Sequence, residues 1–338
     1  MRVQIDSVIA GSIDTVREAA QQVEAAGYAR AWTAELAHDP FLVCLQAAEA
    51  TTTLQIGTAI TVAFARTPMT LAGTAYDLAR YSKGRFVLGL GSQIKPHIER
   101  RFSMPWSHPA ARMKEFIEAM RAIWDCWENN SPLDFRGEFY THTLMTPMFM
   151  PPSHEWGPPP VYLAGVGPGM TKVAGEVADG FLCHGFTTPR YVREVTIPAL
   201  EAARASVGKT MDGFAVCGPG FVATGTNPEQ IEQAKARIRK QLAFYASTPA
   251  YQRVLDLHGW GDLQPELQVM SRQGKWDEMA ELITDDMLNE FAVVGEPDHV
   301  VAEVKARYGG IVTSIGLSTL GSADPAALTA IRDQLATD

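Results

Sequence analysis

A glycine-rich turn is the part of the sequence best suited to bind an anion. Residues 161–186 read VYLAGVGPGMTKVAGEVADGFLCHGF, which predicts a strand, a turn, a helix beginning near Thr171 and a second strand. Gly165, Gly167 and Gly169 let a ligand approach the backbone closely because they lack side chains. The N-terminus of the helix would offer unpaired N–H groups to a phosphate. The pattern alone leaves open whether the turn binds phosphate or is a tight connection without a ligand.

Glu35 and His38 are the residues whose chemistry best suits proton transfer. Glu35 follows the strand-like run 29–33, and His38 lies three positions further on. A histidine titrates near neutral pH and suits general acid or base catalysis, and Glu35 would orient the imidazole or act alone. The pattern His38-Asp39-Pro40 is also typical of a helix start, with Asp39 as the N-cap and Pro40 in the first turn. Both interpretations of His38 therefore stay open.

Several other chemistries lack their motifs in this sequence. There is no H-E-x-x-H, no carboxylate cluster suited to magnesium, no P-loop and no lysine at the end of a strand-like run. We therefore predict no metal site. The stretch FVLGLGS contains G-x-G, but no helix with a third glycine opens after it, which argues against a dinucleotide-binding fold. The four cysteines are scattered and predict reduced thiols.

Composition and charge restrict the class of partner. Hydrophobic residues make up 46% of the 338 residues and charged residues 20%, which is ordinary for a soluble globular protein. The formal net charge of -9 argues against nucleic acid or an anionic membrane as the main partner. No signal peptide or membrane-spanning run is apparent. We therefore predict a cytoplasmic protein that acts on a small molecule.

Strand-like and helical patterns alternate along the whole chain and predict the scaffold for these residues. Apolar, uncharged strands that are each followed by a helix indicate a parallel sheet covered on both faces. We predict an α/β fold, a (β/α)8 TIM barrel that forms a single domain over residues 1–338. Such a barrel needs about 250 residues, and the surplus lies in insertions at about 93–108, 130–158 and 227–292. A doubly wound open sheet is the alternative.

In such a barrel, the active site lies at the C-terminal ends of the strands. Position alone therefore makes candidates of the polar and glycine residues at these ends. They are Asp6, Glu35, His38, residues 58–61, Ser92, Gln93, residues 165–169 and His184. His97 lies in the first insertion, over the strand ends, and would reach a ligand bound there.

Five segments, in order along nearly the whole chain, resemble a known family. They read ARAWTAELAHDPF, LQIGTAITVAFARTP, GRFVLGLGS, YLAGVGPGMTKVAGEVADGF and VVGEPDHVVAEV. The chain resembles the luciferase-like monooxygenase superfamily, and within it the oxidoreductases that use the deazaflavin coenzyme F420. The resemblance implies a luciferase-like barrel with the cofactor across the strand ends. We also expect a homo-oligomer, in the first place a dimer.

The resemblance also implies roles for individual residues. The Ala59–Ile60 peptide bond matches the non-proline cis bond beneath the cofactor ring, and Glu35 matches an acidic residue near the polar edge of the ring. Gly165, Val166 and Gly167 match the turn whose backbone holds the cofactor phosphate. The full set of predicted cofactor-binding residues is Ala59, Ile60, Thr61, Ser92, Gln93, His97, Gly165, Val166 and Gly167.

Two positions depart from the sugar-phosphate dehydrogenases of that family. Leu36 stands where those enzymes have a histidine, and Ile94 aligns with their acid after the fourth strand. The resemblance therefore supports the cofactor better than it supports a substrate, and it argues against a sugar-phosphate dehydrogenase.

The sequence thus predicts hydride transfer between F420 and an organic substrate, with Glu35 and His38 as catalytic residues. The insertions at 93–108 and 227–292 would supply a lid and the substrate pocket. An FMN-dependent luciferase-like monooxygenase is the first alternative. A non-catalytic flavin-binding barrel is the second, and a phosphate-binding isomerase or aldolase barrel is more distant because the lysine and paired carboxylates are missing.

Overall fold

Strands and helices alternate from the N-terminus to the C-terminus of the computed structural model, which describes residues 3–9, 13–321 and 325–336. The strands are β1 (Gln4–Val8), β2 (Arg30–Thr33), β3 (Gln55–Thr58), β4 (Thr61–Val62), β5 (Phe86–Gly91), β6 (Phe135–Arg136), β7 (Thr141–His142), β8 (Val161–Gly165), β9 (Gly180–Cys183), β10 (Ala215–Gly218), β11 (Phe221–Ala223), β12 (Ala292–Val294) and β13 (Ser314–Gly316). The helices are α1 (Val16–Ala25), α2 (Pro40–Ala50), α3 (Pro68–Tyr81), α4 (Pro109–Asn129), α5 (Pro168–Val177), α6 (Pro189–Tyr191), α7 (Ile197–Ser206), α8 (Pro228–Ala246), α9 (Gln252–Leu257), α10 (Leu263–Arg272), α11 (Trp276–Glu281), α12 (Asp285–Phe291), α13 (Pro297–Tyr308) and α14 (Pro325–Ala336).

The main sheet is a closed parallel barrel, which confirms the predicted fold. Its strands follow the order β1, β2, β3, β5, β8, β9, β10 and β13, and the pairing of β13 with β1 closes the circle. Because all these pairs are parallel, the C-terminal ends of the strands meet at one rim, which we call the mouth.

The helices pack around the barrel through apolar stripes. In α4, residues spaced three and four positions apart face the strands, and Met113, Phe116, Ile117, Met120 and Ile123 are all fully buried. The principal core therefore lies between the ring of helices and the outer faces of the strands.

The barrel interior contains a buried carboxylate below the mouth. Asp6 Oδ2 accepts hydrogen bonds from Trp32 Nε1 (2.8 Å) and Ser314 Oγ (2.7 Å), and Arg30 Nη1 lies 3.7 Å away. Burial raises the pKa of Asp6, and the Arg30 charge opposes that shift. Arg30 also lies over the rings of Trp32 and Tyr162, at 5.0 and 5.4 Å from their centroids. These side chains fill the barrel and form a floor for the mouth.

Two sequence-based boundaries are wrong. The run 214–224 predicts one strand, but the chain turns at Pro219 and Gly220, and β11 leaves the barrel to pair with β12. A side chain at Gly220 would overlap the carbonyl oxygen of Gly316, so the backbones approach too closely here for a regular ladder. The helix after β8 begins at Pro168, before the predicted Thr171. Proline suits this first position because its φ angle is already helical and the N–H that it lacks would have no partner within the helix.

The three surplus segments have different structures. Residues 93–108 contain a π-helical turn over His97–Arg101. Residues 130–158 contain the antiparallel pair β6–β7, whose turn is held by the Glu115 carboxylate through the N–H groups of residues 138–140. Residues 227–292 form α8 to α12, which bury a second apolar cluster together with Phe186, Tyr191 and Phe221. Within the part of the chain that the structure describes, no helix is long and apolar enough to cross a membrane.

Candidate active site

The mouth of the barrel is open above its floor. Val8 ends β1 and pairs in register with Trp32, whose ring fills the barrel interior, so Val8 points toward the barrel axis. Its side chain is nevertheless 62% exposed. Ala59 and Ile60 lie at the same rim, partly buried against the interior cluster. A ligand seated here would cover apolar side chains.

The peptide bond Ala59–Ile60 is cis, as the resemblance implied; Thr33 holds the backbone before it and Glu35 the backbone after it. The Ala59 N–H donates to the Thr33 carbonyl (2.7 Å), and the Glu35 N–H donates to the Ile60 carbonyl (3.1 Å). Glu35 Oε2 accepts from the Val62 N–H at 2.8 Å. The Glu35 side chain therefore fixes the junction between β3 and β4.

Arg66 neutralises the buried Glu35 carboxylate. Its Nη1 donates to Oε1 at 3.0 Å and to Oε2 at 2.7 Å, and only 7% of the Glu35 side chain is exposed. Arg66 Nη2 also pairs with Asp39 Oδ2 at 3.0 Å. Asp39 Oδ1 accepts from the Phe41 N–H at 2.8 Å and caps α2, which confirms the helix-start interpretation of Asp39. A carboxylate held in this way positions its neighbours.

His38 lies on the surface of the loop between β2 and α2. Its side chain is exposed, and among the described residues its ring has no hydrogen-bond partner. Its role in catalysis stays a prediction, as does that of Glu35. The structure brings Glu35 together with Ala59, Ile60 and Thr61, while His38 lies at the edge of this group. Thr61 is fully buried, and its Oγ1 has no partner within the described ranges.

The β8–α5 turn has the geometry of an anion site. β8 ends at Gly165, Gly167 is the N-cap of α5, and the first i to i−4 bond runs from the Thr171 N–H to the Gly167 carbonyl at 3.1 Å. The N–H groups of Gly169 and Met170 therefore precede the helical ladder and point out of the first turn. This turn contains the predicted residues Gly165, Val166 and Gly167.

A narrow cleft adjoins this turn. Gly165 and Val166 line it together with residues that follow β9, among them His184 and Thr187. Thr187 is 5% exposed, and in the described structure its Oγ1 is buried without a hydrogen-bond partner. Leaving a buried hydroxyl unsatisfied is unfavourable, so this hydroxyl is suited to a ligand atom. The sequence analysis missed Thr187; its only signal was a position four residues after the end of β9.

His184 joins the cleft to the helical insertion. Its Nδ1 accepts from the Phe186 N–H (3.0 Å), so the neutral ring carries its proton on Nε2, which donates to the Tyr251 hydroxyl at 3.1 Å. The two rings stack with centroids 4.5 Å apart. Burial lowers the pKa of His184 to about 4 and raises the pKa of Tyr251 to about 12. Both groups are therefore neutral at neutral pH.

Ser92, Gln93 and His97 follow β5 on the other side of the mouth. Ser92 Oγ donates to the Gln93 carbonyl at 3.1 Å. The backbone of Gln93 has a φ of 58°, a left-handed conformation that residues other than glycine seldom adopt. His97 opens the π-helical turn and is exposed. No cluster of side chains suited to a metal ion occurs in residues 3–9, 13–321 or 325–336.

Comparison with known proteins gives three kinds of match. A family model described as luciferase-like monooxygenase matches residues 2–314. The uncharacterized protein Rv1360 of Mycobacterium tuberculosis is 49% identical over 314 residues, which cover 93% of this chain and 92% of that protein. A putative coenzyme F420-dependent oxidoreductase of the same organism, Rv3520c, is 27% identical over 317 residues and 89% of each chain. Among solved structures, the coenzyme F420 dependent tetrahydromethanopterin reductase from Methanopyrus kandleri has a TM-score of 0.79 at 19% identity, covering 98% of this chain and 97% of that one.

Proposed function

The chain belongs to the luciferase-like monooxygenase family, and from this we propose that it is an oxidoreductase that transfers a hydride between coenzyme F420 and an organic substrate. The relationship to an F420-dependent oxidoreductase along most of the chain supports this cofactor. The observation that carries the proposal is the glycine backbone of the β8–α5 turn, which leads into a helix N-terminus and lines a cleft where the buried Thr187 hydroxyl has no partner among the described residues.

The residues present fit a cofactor that carries a phosphate diester in its tail. The N–H groups of Gly169 and Met170 and the hydroxyl of Thr187 would donate to the phosphate oxygens, and Gly165 and Gly167 leave the backbone accessible. Ala59 and Ile60 would lie beneath the ring, at the rim of the barrel. When bound, F420 supplies the hydride at C5.

The chain's own part in the reaction is orientation and proton handling. In this proposal Glu35, held by Arg66, fixes the backbone around Ala59–Ile60 and so sets the height of the surface on which the ring lies. His38 is the exposed imidazole nearest to that junction in the chain, and it would exchange protons with substrate and solvent.

A direct titration of the purified protein with F420 and with FMN tests the cofactor. We expect saturable quenching of F420 fluorescence and an affinity for FMN at least tenfold lower. If F420 does not bind, the proposal fails. If FMN copurifies with the protein and oxygen is consumed in the presence of reduced FMN, the FMN-dependent monooxygenase is correct instead.

Catalysis is tested separately from binding. A panel of ketones, aldehydes and secondary alcohols is mixed with F420 in the matching redox state, and absorbance of the oxidised deazaflavin is followed. His38→Asn should lower turnover and leave the dissociation constant of F420 unchanged. If the protein binds F420 tightly and neither it nor the variant turns over with any substrate class, a non-catalytic flavin-binding barrel is favoured.

A further inference from the structure

Large aliphatic side chains are exposed on the loops that surround the mouth. The exposed fractions are 62% for Val8, 38% for Ile13, 71% for Leu36, 48% for Ile94 and 37% for Leu320. These residues follow β1, β2, β5 and β13, so all of them lie at the C-terminal ends of barrel strands. Exposed apolar residues that collect at one place are typical of a binding surface, because covering them removes apolar area from water.

Several charged side chains at the same rim make contacts within the protein, whereas the rings of His38 and His97 are exposed. Glu35 is neutralised by Arg66, and Arg101 donates from Nη2 to the Leu36 carbonyl at 2.7 Å. Lys95 and Glu99 are paired with each other at 3.7 Å. Glu35 and Arg101 are therefore held by contacts within the protein, while the Lys95–Glu99 pair remains exposed to solvent.

The loops from β2 and β5 meet across one side of the mouth. The Arg101 to Leu36 bond connects them, and it brings Leu36 and the segment that contains Ile94 to the same side of the barrel axis as Ile60. Gly91 makes room for Ile60, because a side chain at Gly91 would come within 2.9 Å of Ile60 Cγ1. The aliphatic residues thus continue from the rim down to the interior.

We infer that the substrate is an uncharged molecule with an extended apolar portion that lies over Val8, Leu36 and Ile94. The inference rests on the proposed function, which places the reacting ring beside Ile60. A substrate with a phosphate or carboxylate over these residues would leave the aliphatic side chains in contact with a hydrated charge. An alkyl or alicyclic group there would bury them.

The binding of ketones of increasing chain length tests whether this surface takes up an alkyl group. Unbranched 2-alkanones from 2-butanone to 2-nonanone compete with the neutral fluorescent dye prodan for the F420-loaded protein, and dissociation constants are obtained from the loss of dye fluorescence. We expect about fourfold tighter binding for each added methylene, the effect of burying one CH₂ group, until the surface is covered. Fatty acids of the same chain length should bind at least tenfold more weakly. Equal affinity along the series, or tighter binding of the acids, would overturn the inference.

Single substitutions test whether Leu36 and Ile94 are responsible for the gain in affinity per methylene group. Leu36→Gln and Ile94→Gln should each reduce the gain per methylene to less than twofold. Val207→Gln is the control, because Val207 is 43% exposed just after the C-terminal end of α7, at the end of the barrel where the strands begin, and should keep the full gain. If the control loses the gain as much as the two mouth variants do, the alkanones bind non-specifically and the inference is wrong.

Titrations of the same variants with F420 distinguish a failure of this inference from a failure of the proposed function. F420 is titrated against each variant, and all three should retain the affinity of the parent. A protein that fails to bind F420 contradicts the proposed function, whereas the alkanone series, repeated without cofactor, still reports on the mouth. A normal F420 affinity with a flat alkanone series contradicts only the apolar substrate.

Discussion

The two sides of the mouth differ in how their polar groups are held, although each leaves a buried threonine hydroxyl without a partner in the described structure: Thr61 Oγ1 on the first side and Thr187 Oγ1 on the second. On the β2–β3 side, Glu35 accepts bonds from Arg66 and Val62, and Thr58 Oγ1 both donates to the Gly89 carbonyl (2.7 Å) and accepts from the Gly89 N–H (3.0 Å). On the β8–β9 side, Thr187 has a buried hydroxyl without a partner in the described structure. Polar groups that already have hydrogen-bond partners keep the local backbone in place, whereas a buried hydroxyl without a partner can bond a ligand atom. In the proposed function, the first side would position the cofactor ring, and the second side would bind the cofactor phosphate.

The largest expected effect comes from pH on the β8–β9 side. Burial lowers the pKa of His184 to about 4 in the folded protein, while an unfolded histidine titrates near 6.5. As pH falls between these values, the unfolded chain takes up a proton that the folded chain does not, so stability falls. The loss should reach about 3 kcal/mol at pH 4. Urea unfolding at pH 7, 6, 5 and 4 should show a smaller loss for His184→Gln; an identical acid dependence in the variant would contradict the assignment.

Removing the Glu35 charge on the β2–β3 side should have the next largest effect on stability. Glu35→Gln keeps the shape of the side chain but removes its charge, which leaves Arg66 paired with Asp39 alone. We expect the free energy of unfolding to fall by about 2 kcal/mol, less than for a fully buried pair because Arg66 is partly exposed. Glu99→Gln, which removes one member of a solvent-exposed pair with Lys95, is the control and should change stability by less than about 0.5 kcal/mol. Equal effects in the two variants would show that Glu35 does not brace the junction.

A pair of threonine variants compares the two sides directly. Thr58→Val removes a hydroxyl that bonds both backbone groups of Gly89 and should destabilise the protein by about 2 kcal/mol. Thr187→Val removes the unpartnered hydroxyl and should stabilise the cofactor-free protein by about 1 kcal/mol. Thermal and urea unfolding of both variants, each with an unchanged m value, measure the contrast. Destabilisation by Thr187→Val would mean that the hydroxyl has a partner in the folded protein.

The expected change in cofactor binding is smaller than the loss of stability from Glu35→Gln or Thr58→Val. Thr187→Val should weaken F420 about tenfold, the loss of one hydrogen bond to a charged group, while Thr187→Ser should restore most of the affinity. Titration by fluorescence quenching provides the measurement. An unchanged dissociation constant in Thr187→Val would remove this residue from the phosphate site.

Patterns that repeat along the chain could be read from the sequence. The alternation of apolar runs and amphipathic helices predicted the barrel, and the His38-Asp39-Pro40 pattern predicted the start of α2. The resemblance placed the cis bond at Ala59–Ile60, where the structure has it. Each of these depends on local sequence or on ordered motifs, so no knowledge of distant contacts was needed.

Pairings between distant residues could not be read in this way. Arg66 lies 31 positions from Glu35, and nothing in its surroundings marks it as the partner of that carboxylate. Tyr251 comes from an insertion without a clear pattern and meets His184 only because the insertion folds back on the barrel. The break in the run 214–224 arises from close approach to a strand about 100 residues further on. Such contacts are set by the packed fold.

The short pair β11–β12 has a consequence for how this protein can change. β11 precedes the helical insertion and β12 follows it, with Phe221 opposite Ala292 and Val294 opposite Ala223. The Gly295 N–H also donates to the Ala223 carbonyl at 3.0 Å. The first and last residues of the insertion therefore lie next to each other, so the distance between its ends does not depend on the length of the insertion. A helical segment of another length could therefore leave and re-enter at the same two points, provided that its apolar face still covers Phe186 and Tyr191.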